Sequence, residues 1–137
     1  MHTKKVIDHI VNWLKDYAEN SKMEGFVIGI SGGIDSAVTS TLCAKTGLPT
    51  LCIEMPIHQA KSQVNRAKEH IDQLKKNYPN ISSEEVDLTS VFEEFKKQSP
   101  IPTNNPLLDL SLANTRARLR MTSLYYFAGL LRHLVVG

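Results

Sequence analysis

Only two of the 137 residues are cysteine, Cys43 and Cys52. Two is too few for a disulfide framework, and their spacing is not that of a metal or redox pair. Both read as small apolar residues in a reducing, cytoplasmic setting. Long hydrophobic runs are missing too. The longest apolar stretch, 124–131, has eight residues and includes two tyrosines and a glycine, which excludes a membrane span. Segment 1–20 carries charge throughout, so it does not read as a signal peptide. An excess of one charge sign is also absent. Sixteen Lys and Arg against 14 Asp and Glu leave +2, which argues against a dedicated nucleic-acid binder. There is no internal repeat and no low-complexity segment. What remains is 42% hydrophobic and 22% charged, the composition of a globular chain with a core. The length is that of one domain, expected to occupy 1–137.

Val6, Ile10, Trp13, Leu14 and Tyr17 recur at steps of three and four, predicting a helix over 4–20 with one apolar face. Phe26–Ile30 is apolar and rich in branched residues, the pattern of a short buried strand. A helix is expected over 35–45, stopped near Gly47. Thr50–Met55 reads as a second strand ended by Pro56, 59–77 as a polar-faced helix, and 85–88 as a third strand. A helix over 89–98 can be capped by Asp87 or Thr89. Segment 99–106, with three prolines and two asparagines, reads as a loop. The longest helix runs from Leu108 or Asp109 to His133, and 134–136 starts a fourth strand. Strands alternating with such helices mean an open parallel α/β sheet with helices on both faces. Sheets of this kind bind ligands at the carboxyl ends of their strands. The chemistry is therefore sought after Ile30, Met55, Leu88 and Val136.

The turn after the first strand is Ser31-Gly32-Gly33-Ile34-Asp35-Ser36. Its glycines permit positive φ and leave no Cβ in a ligand's way. Backbone N–H groups and the N-terminus of the next helix favour an anion there. Ser31 and Ser36 add hydroxyl donors. Asp35 is repulsive to a phosphate unless a cation lies between them, which implies Mg²⁺. The plainer reading is a tight turn in which Ser36 or Asp35 caps the helix. The string lacks the Gly-Lys-Ser/Thr ending of a Walker loop and is not Gly-x-Gly-x-x-Gly. As a whole it resembles the pyrophosphate-binding loop of the N-type ATP pyrophosphatases, which transfer AMP to a substrate oxygen and release pyrophosphate.

A second string, Asn114-Thr115-Arg116-Ala117-Arg118-Leu119-Arg120-Met121, lies on the longest helix. Asn114, Arg118 and Met121 share one face, and Arg116, Arg120 and Ser123 a neighbouring one. An amide beside a guanidinium suits a carboxylate or phosphate. A solvated basic stripe and an RNA patch are the other readings, the second weakened by the small net charge. At this distance from the loop, and followed by Leu134-Val135-Val136-Gly137, the string resembles the substrate helix of the NAD synthetase family, so that the resemblance runs from about Val6 to Gly137.

The resemblance implies an adenine-nucleotide alpha-hydrolase-like, Rossmann-like fold. It implies that Gly29, Ile30, Ser31, Gly32, Gly33, Ile34, Asp35 and Ser36 bind ATP, with Asp35 holding Mg²⁺. Asp35 and Ser31 are the catalytic candidates. Arg118, with Asn114 beside it, would contact nicotinic acid adenine dinucleotide. The implied reaction forms an acyl-adenylate and pyrophosphate, after which ammonia displaces AMP to give NAD⁺. It also implies a homodimer packed through the 109–133 helix, whose Leu124, Tyr125, Phe127, Leu130 and Leu131 would serve core and interface alike. No glutaminase domain fits within the chain, so free ammonia is the expected nitrogen donor unless a separate subunit delivers it. Where the family often has Arg, this chain has Glu54, with Lys61 and Arg66 as substitutes or as ordinary surface residues. His58 reads as a loop residue. The family's later Thr, Glu and flexible segment are absent, so the domain is expected to be incomplete after its fourth strand and inactive alone. The competing readings are another adenylating ligase of the same loop family, forming GMP or modifying tRNA, and a non-catalytic ATP-binding module.

Overall fold

The computed structural model describes residues 2–100 and 104–137. Helix α1 (Thr3–Asn20) leads into β1 (Gly25–Gly29), then α2 (Ile34–Lys45), β2 (Thr50–Glu54) and α3 (Lys61–Asn77). Strand β3 (Ile81–Glu85), α4 (Thr89–Gln98), α5 (Leu108–Leu131) and β4 (His133–Val136) complete the chain. The loop expected over 99–106 lies partly outside the described residues. All pairings are parallel, in the order β3-β2-β1-β4. This is the open, Rossmann-like α/β sheet the sequence implies, with helices on both faces.

The alternation of side chains along each strand explains the two-sided core. Val27, Leu51 and Ile53 point to one face and pack with Leu88, Phe92, Leu124 and Ala128 of the α4–α5 side. Ile28 and Cys52 point to the other face, against Ala44 of α2 and Ala67, Ile71 and Leu74 of α3. Phe26 packs there with Cys43 and with Ala18 of α1. Both cysteines are free and buried, and burial pushes their thiols up to about 12. They are inert apolar filling, as their sequence context suggests.

Two sequence-based expectations change. The third strand lies at Ile81–Glu85, not 85–88. It is an edge strand of sequence ISSEE, with no apolar alternation to reveal it, whereas Val86 and Leu88 are apolar but lie past its end. Their N–H groups still donate to the carbonyls of Glu54 (2.7 Å) and Pro56 (3.0 Å), so the chain runs on beside β2. On α1, the apolar face is only half covered. Ile10 and Leu14 are half-buried, but Trp13 and Tyr17 are 57% and 51% exposed and stack on each other at 5.3 Å.

The chain steps from β1 to β2 to β3 in one direction, then returns through α4 and α5 to place β4 on the far side of β1. Strand order therefore reverses between β1 and β4. Such a reversal opens a crevice at the carboxyl ends, where ligands of open α/β sheets bind. Arg132, in the left-handed region at φ 56°, ends α5 and turns the chain into β4.

Candidate nucleotide site

A cleft of about 390 Å³ occupies that crevice. This is within the range of about 300–1,000 Å³ usual for small-molecule sites. Its floor comes from the strand ends: Ile28 and Gly29 at the end of β1 with Ile30 after it, Met55 after β2, Val136 and Gly137 at β4. Leu124 of α5 closes one side. The polar rim is Ser31, Asp35, Ser36, Thr39, Gln59 and Arg120. An apolar floor with a polar rim suits a nucleoside carrying phosphates.

The loop is shaped by close contact with α3. Gly32 has φ +86°, and a Cβ there would stand 2.6 Å from the Gln63 carbonyl oxygen. Only glycine fits both conditions. Gly33 differs: its φ of −89° is ordinary extended backbone, and it is the N-cap of α2 without any side-chain cap. The capping role suggested for Ser36 or Asp35 is thus not taken by either. Instead the two serines brace the loop. The Ser31 N–H donates to Ser36 Oγ (3.2 Å), the Gly33 N–H to Ser31 Oγ (3.3 Å), and Ser36 Oγ to the Gly33 carbonyl (3.3 Å). The first N–H groups of α2, from Ile34 onward, have no partner inside the helix and carry its positive dipole end.

Of the residues expected at an ATP site, Gly29, Ile30, Ser31, Asp35 and Ser36 line the cleft. Gly32, Gly33 and Ile34 form the outer side of the loop and line a groove toward Arg66 and His70 of α3. Asp35 is exposed, and among the described residues it enters no ion pair. Among the described residues no cluster of three His, Cys, Asp or Glu side chains exists, and Asp35 is the one carboxylate that lines the cleft. One or two carboxylates completed by phosphate oxygens and water is the usual setting for Mg²⁺, and the residues fit it.

Asn114 and Arg118 lie on the exposed face of α5 and do not line the cleft; Arg118 donates to the Asn114 carbonyl at 3.4 Å. Lys61 and Arg66 are exposed and also outside it. Glu54 is buried at the end of β2, where burial raises its carboxyl against the opposing pull of Lys68. His58 is a loop residue at φ 50°, its Nε2 2.7 Å from Glu93 Oε1. That contact holds the Glu93 carboxyl below its usual range.

Three polar cleft residues, Thr39, Gln59 and Arg120, were not singled out for the site from sequence. Thr39 lies four residues after Asp35, on the same helix face. Gln59 follows the end of β2, a place the sheet rule points to. Arg120 is in line with Leu124 and Ala128 at steps of four, a charge on the buried stripe of α5. Its Nε–H donates to the Met55 carbonyl at 3.0 Å, and burial, with the like charge of Arg116, lowers its pKa.

Comparison with known proteins agrees on one family. The NAD synthase family profile matches residues 6–137. The chain is 38% identical over 139 aligned positions to the NH(3)-dependent NAD(+) synthetase of Mesoplasma florum, covering 100% of this chain and 54% of that protein. Among solved structures, the NMN synthetase of Francisella tularensis superposes with a TM-score of 0.86 at 36% identity, covering 100% of this chain and 54% of the other. The NH3-dependent NAD synthetase of Campylobacter jejuni superposes at 0.85 with 31% identity, covering 100% and 56%. The chain thus spans about half the length of the relatives it matches.

Proposed function

This chain belongs to the NAD synthase family, and on that premise we propose that it carries the ATP-activating part of an ammonia-dependent ligase. The observation that carries the reading is the Ser31–Ser36 loop opening onto the crevice between β1 and β4. The carboxylate of nicotinic acid adenine dinucleotide attacks the α-phosphate of ATP. The bond to the β-phosphate's bridging oxygen breaks, giving an acyl-adenylate and pyrophosphate. Ammonia then attacks the acyl carbon, AMP leaves, and the amide of NAD⁺ results after loss of a proton.

The chain's residues position and neutralise rather than exchange protons. Ile28, Leu124, Met55 and Val136 hold the nucleoside out of water. The loop N–H groups and the α2 N-terminus receive the leaving pyrophosphate. Asp35 would hold Mg²⁺, which when bound offsets phosphate charge. Arg118 and Asn114, exposed on α5 and outside the cleft, would contact the carboxylate substrate rather than ATP. Tyr125 and Leu130 on the same helix are exposed, which supports a dimer packed through α5. ATP-dependent turnover is assigned to the longer relatives' length, and these 137 residues alone are expected to bind nucleotide without producing NAD⁺.

A second reading concerns the acceptor only. The likeness to a protein described as an NMN synthetase favours testing the corresponding acid mononucleotide beside the dinucleotide. The experiment replaces the matched half of the Mesoplasma florum relative with this chain. Supplied with Mg²⁺-ATP, ammonium and either acid, the chimera should form NAD⁺ with AMP and pyrophosphate. Formation of NMN in preference selects the second reading. A folded chimera that uses neither acid, beside an active unmodified relative, contradicts both. Activity with tRNA or xanthosine monophosphate moves the chain to another ligase of the loop family.

A further inference from the structure

We propose that Arg120 is a phosphate ligand of the nucleotide held by the Ser31–Ser36 loop, binding through its two terminal amino groups. The proposal rests on the reading of that loop as a nucleotide site. Arg120 lines the same cleft as Ser31, Asp35 and Ser36, and among the cleft-lining residues it alone is cationic. It is half-buried, and among the described residues it enters no ion pair. Holding a guanidinium out of water without a counter-charge is unfavourable, and an anion in the cleft removes the cost.

The geometry is already set for such an anion. The Nε–H of Arg120 is engaged by the Met55 carbonyl at 3.0 Å, at the carboxyl end of β2. That bond fixes the plane of the guanidinium and leaves its terminal fork, the group that matches phosphate oxygens in pairs. The other two arginines of the string are differently used. Arg116 sits over the Phe92 ring, 5.4 Å from its centroid, and Arg118 turns to its own helix backbone. Three arginines at alternate positions thus do three different things, and one of them faces the cleft.

The rival account makes Arg120 a clamp that ties α5 to the end of β2 through Met55. The test separates the two. The wild-type chain, Arg120→Gln and Arg120→Lys are titrated calorimetrically with Mg²⁺-ATP, AMP and inorganic pyrophosphate, and melting temperatures are read with and without each probe. Arg120→Gln should weaken Mg²⁺-ATP binding about ten- to a hundred-fold, the range of a lost charged hydrogen bond. Arg120→Lys should recover part of it, keeping the charge but not the fork. Loss with AMP, or with pyrophosphate, identifies which phosphate is contacted. A clamp would lower the ligand-free melting temperature yet leave the ligand-induced rise and the affinity unchanged, which overturns the proposal alone. If Arg120→Gln does not fold, Arg120→Lys decides, and wild-type affinity in it overturns the proposal. Failure of the wild-type chain to bind any probe overturns the proposal and the nucleotide reading of the loop together.

Discussion

A Cβ on Gly32 would stand 2.6 Å from the carbonyl oxygen of Gln63. The Ser31–Ser36 loop and helix α3 therefore meet backbone to backbone, with the loop residue at φ +86°. Gly32→Ala meets both the left-handed strain and the steric conflict. It should cost about 1–3 kcal/mol of stability. It should also weaken ATP binding, because relief requires the loop to move. Urea denaturation and a calorimetric titration check this; unchanged values in both would contradict the tight approach.

Asp35 is exposed and makes no ion pair among the described residues, so the fold does not depend on it. Asp35→Asn should keep the wild-type melting temperature to within a degree or so, a surface change being usually within about 0.5 kcal/mol. The enhancement of ATP binding by Mg²⁺ should disappear. Titrations with Mg²⁺ and with EDTA read this directly, and a retained Mg²⁺ effect would place the metal elsewhere.

Helices α2 and α3 are joined by Ser40 Oγ and His70 Nε2 at 2.8 Å, Ser40 being buried. Burial lowers the His70 pKa from its usual 6.5. The unfolded chain then binds a proton there more readily than the folded one, so stability falls as pH drops through 6.5 and the loss ends below the folded value. Lys45 of α2 shares a shallow pocket with His70, and Arg66, Glu69, Asp72 and Lys76 of α3 line a groove on its other side. Denaturant unfolding at pH 7.5 and 5.5 should show a drop in the wild-type chain that is smaller in His70→Gln. Equal drops would assign the acid sensitivity to other groups.

Arg118 lies outside the cleft, with its guanidinium against its own helix. Arg118→Ala should leave Mg²⁺-ATP affinity within about two-fold, the scatter of a neutral surface change. Binding of the carboxylate-bearing dinucleotide should weaken in the same variant. A large loss of ATP affinity would mean that Arg118 reaches the phosphates.

The strands β1 and β2 were legible because both faces are buried: Phe26 and Ile28 pack on one side, Val27 on the other. Strand β3 was not, because an edge strand needs little apolar surface and ISSEE has only Ile81. The apolar Val86 and Leu88 drew the expected strand past its true end. Periodicity correctly joined Trp13 and Tyr17 on one face of α1, but periodicity says which residues share a face, not whether anything covers it. The loop was legible as a turn because its glycines follow from a local demand, positive φ at Gly32; the serines, read as donors to a ligand, also brace the loop, a relation that only the folded turn shows. Arg120 was not, because nothing in the spacing of Arg116, Arg118 and Arg120 tells which one lies over the end of β2. That depends on how α5 crosses the sheet, a long-range relation.

ATP is expected at the Ser31–Ser36 loop, in the crevice between β1 and β4. The most direct measurement is the amide spectrum of the nitrogen-labelled chain during titration with Mg²⁺-ATP. Saturable shifts are expected at Gly32, Gly33, Ile34 and Asp35 and at the cleft residues Gly29 and Val136, with pyrophosphate reproducing the loop subset. An unchanged spectrum, or shifts confined to other surfaces, would contradict it.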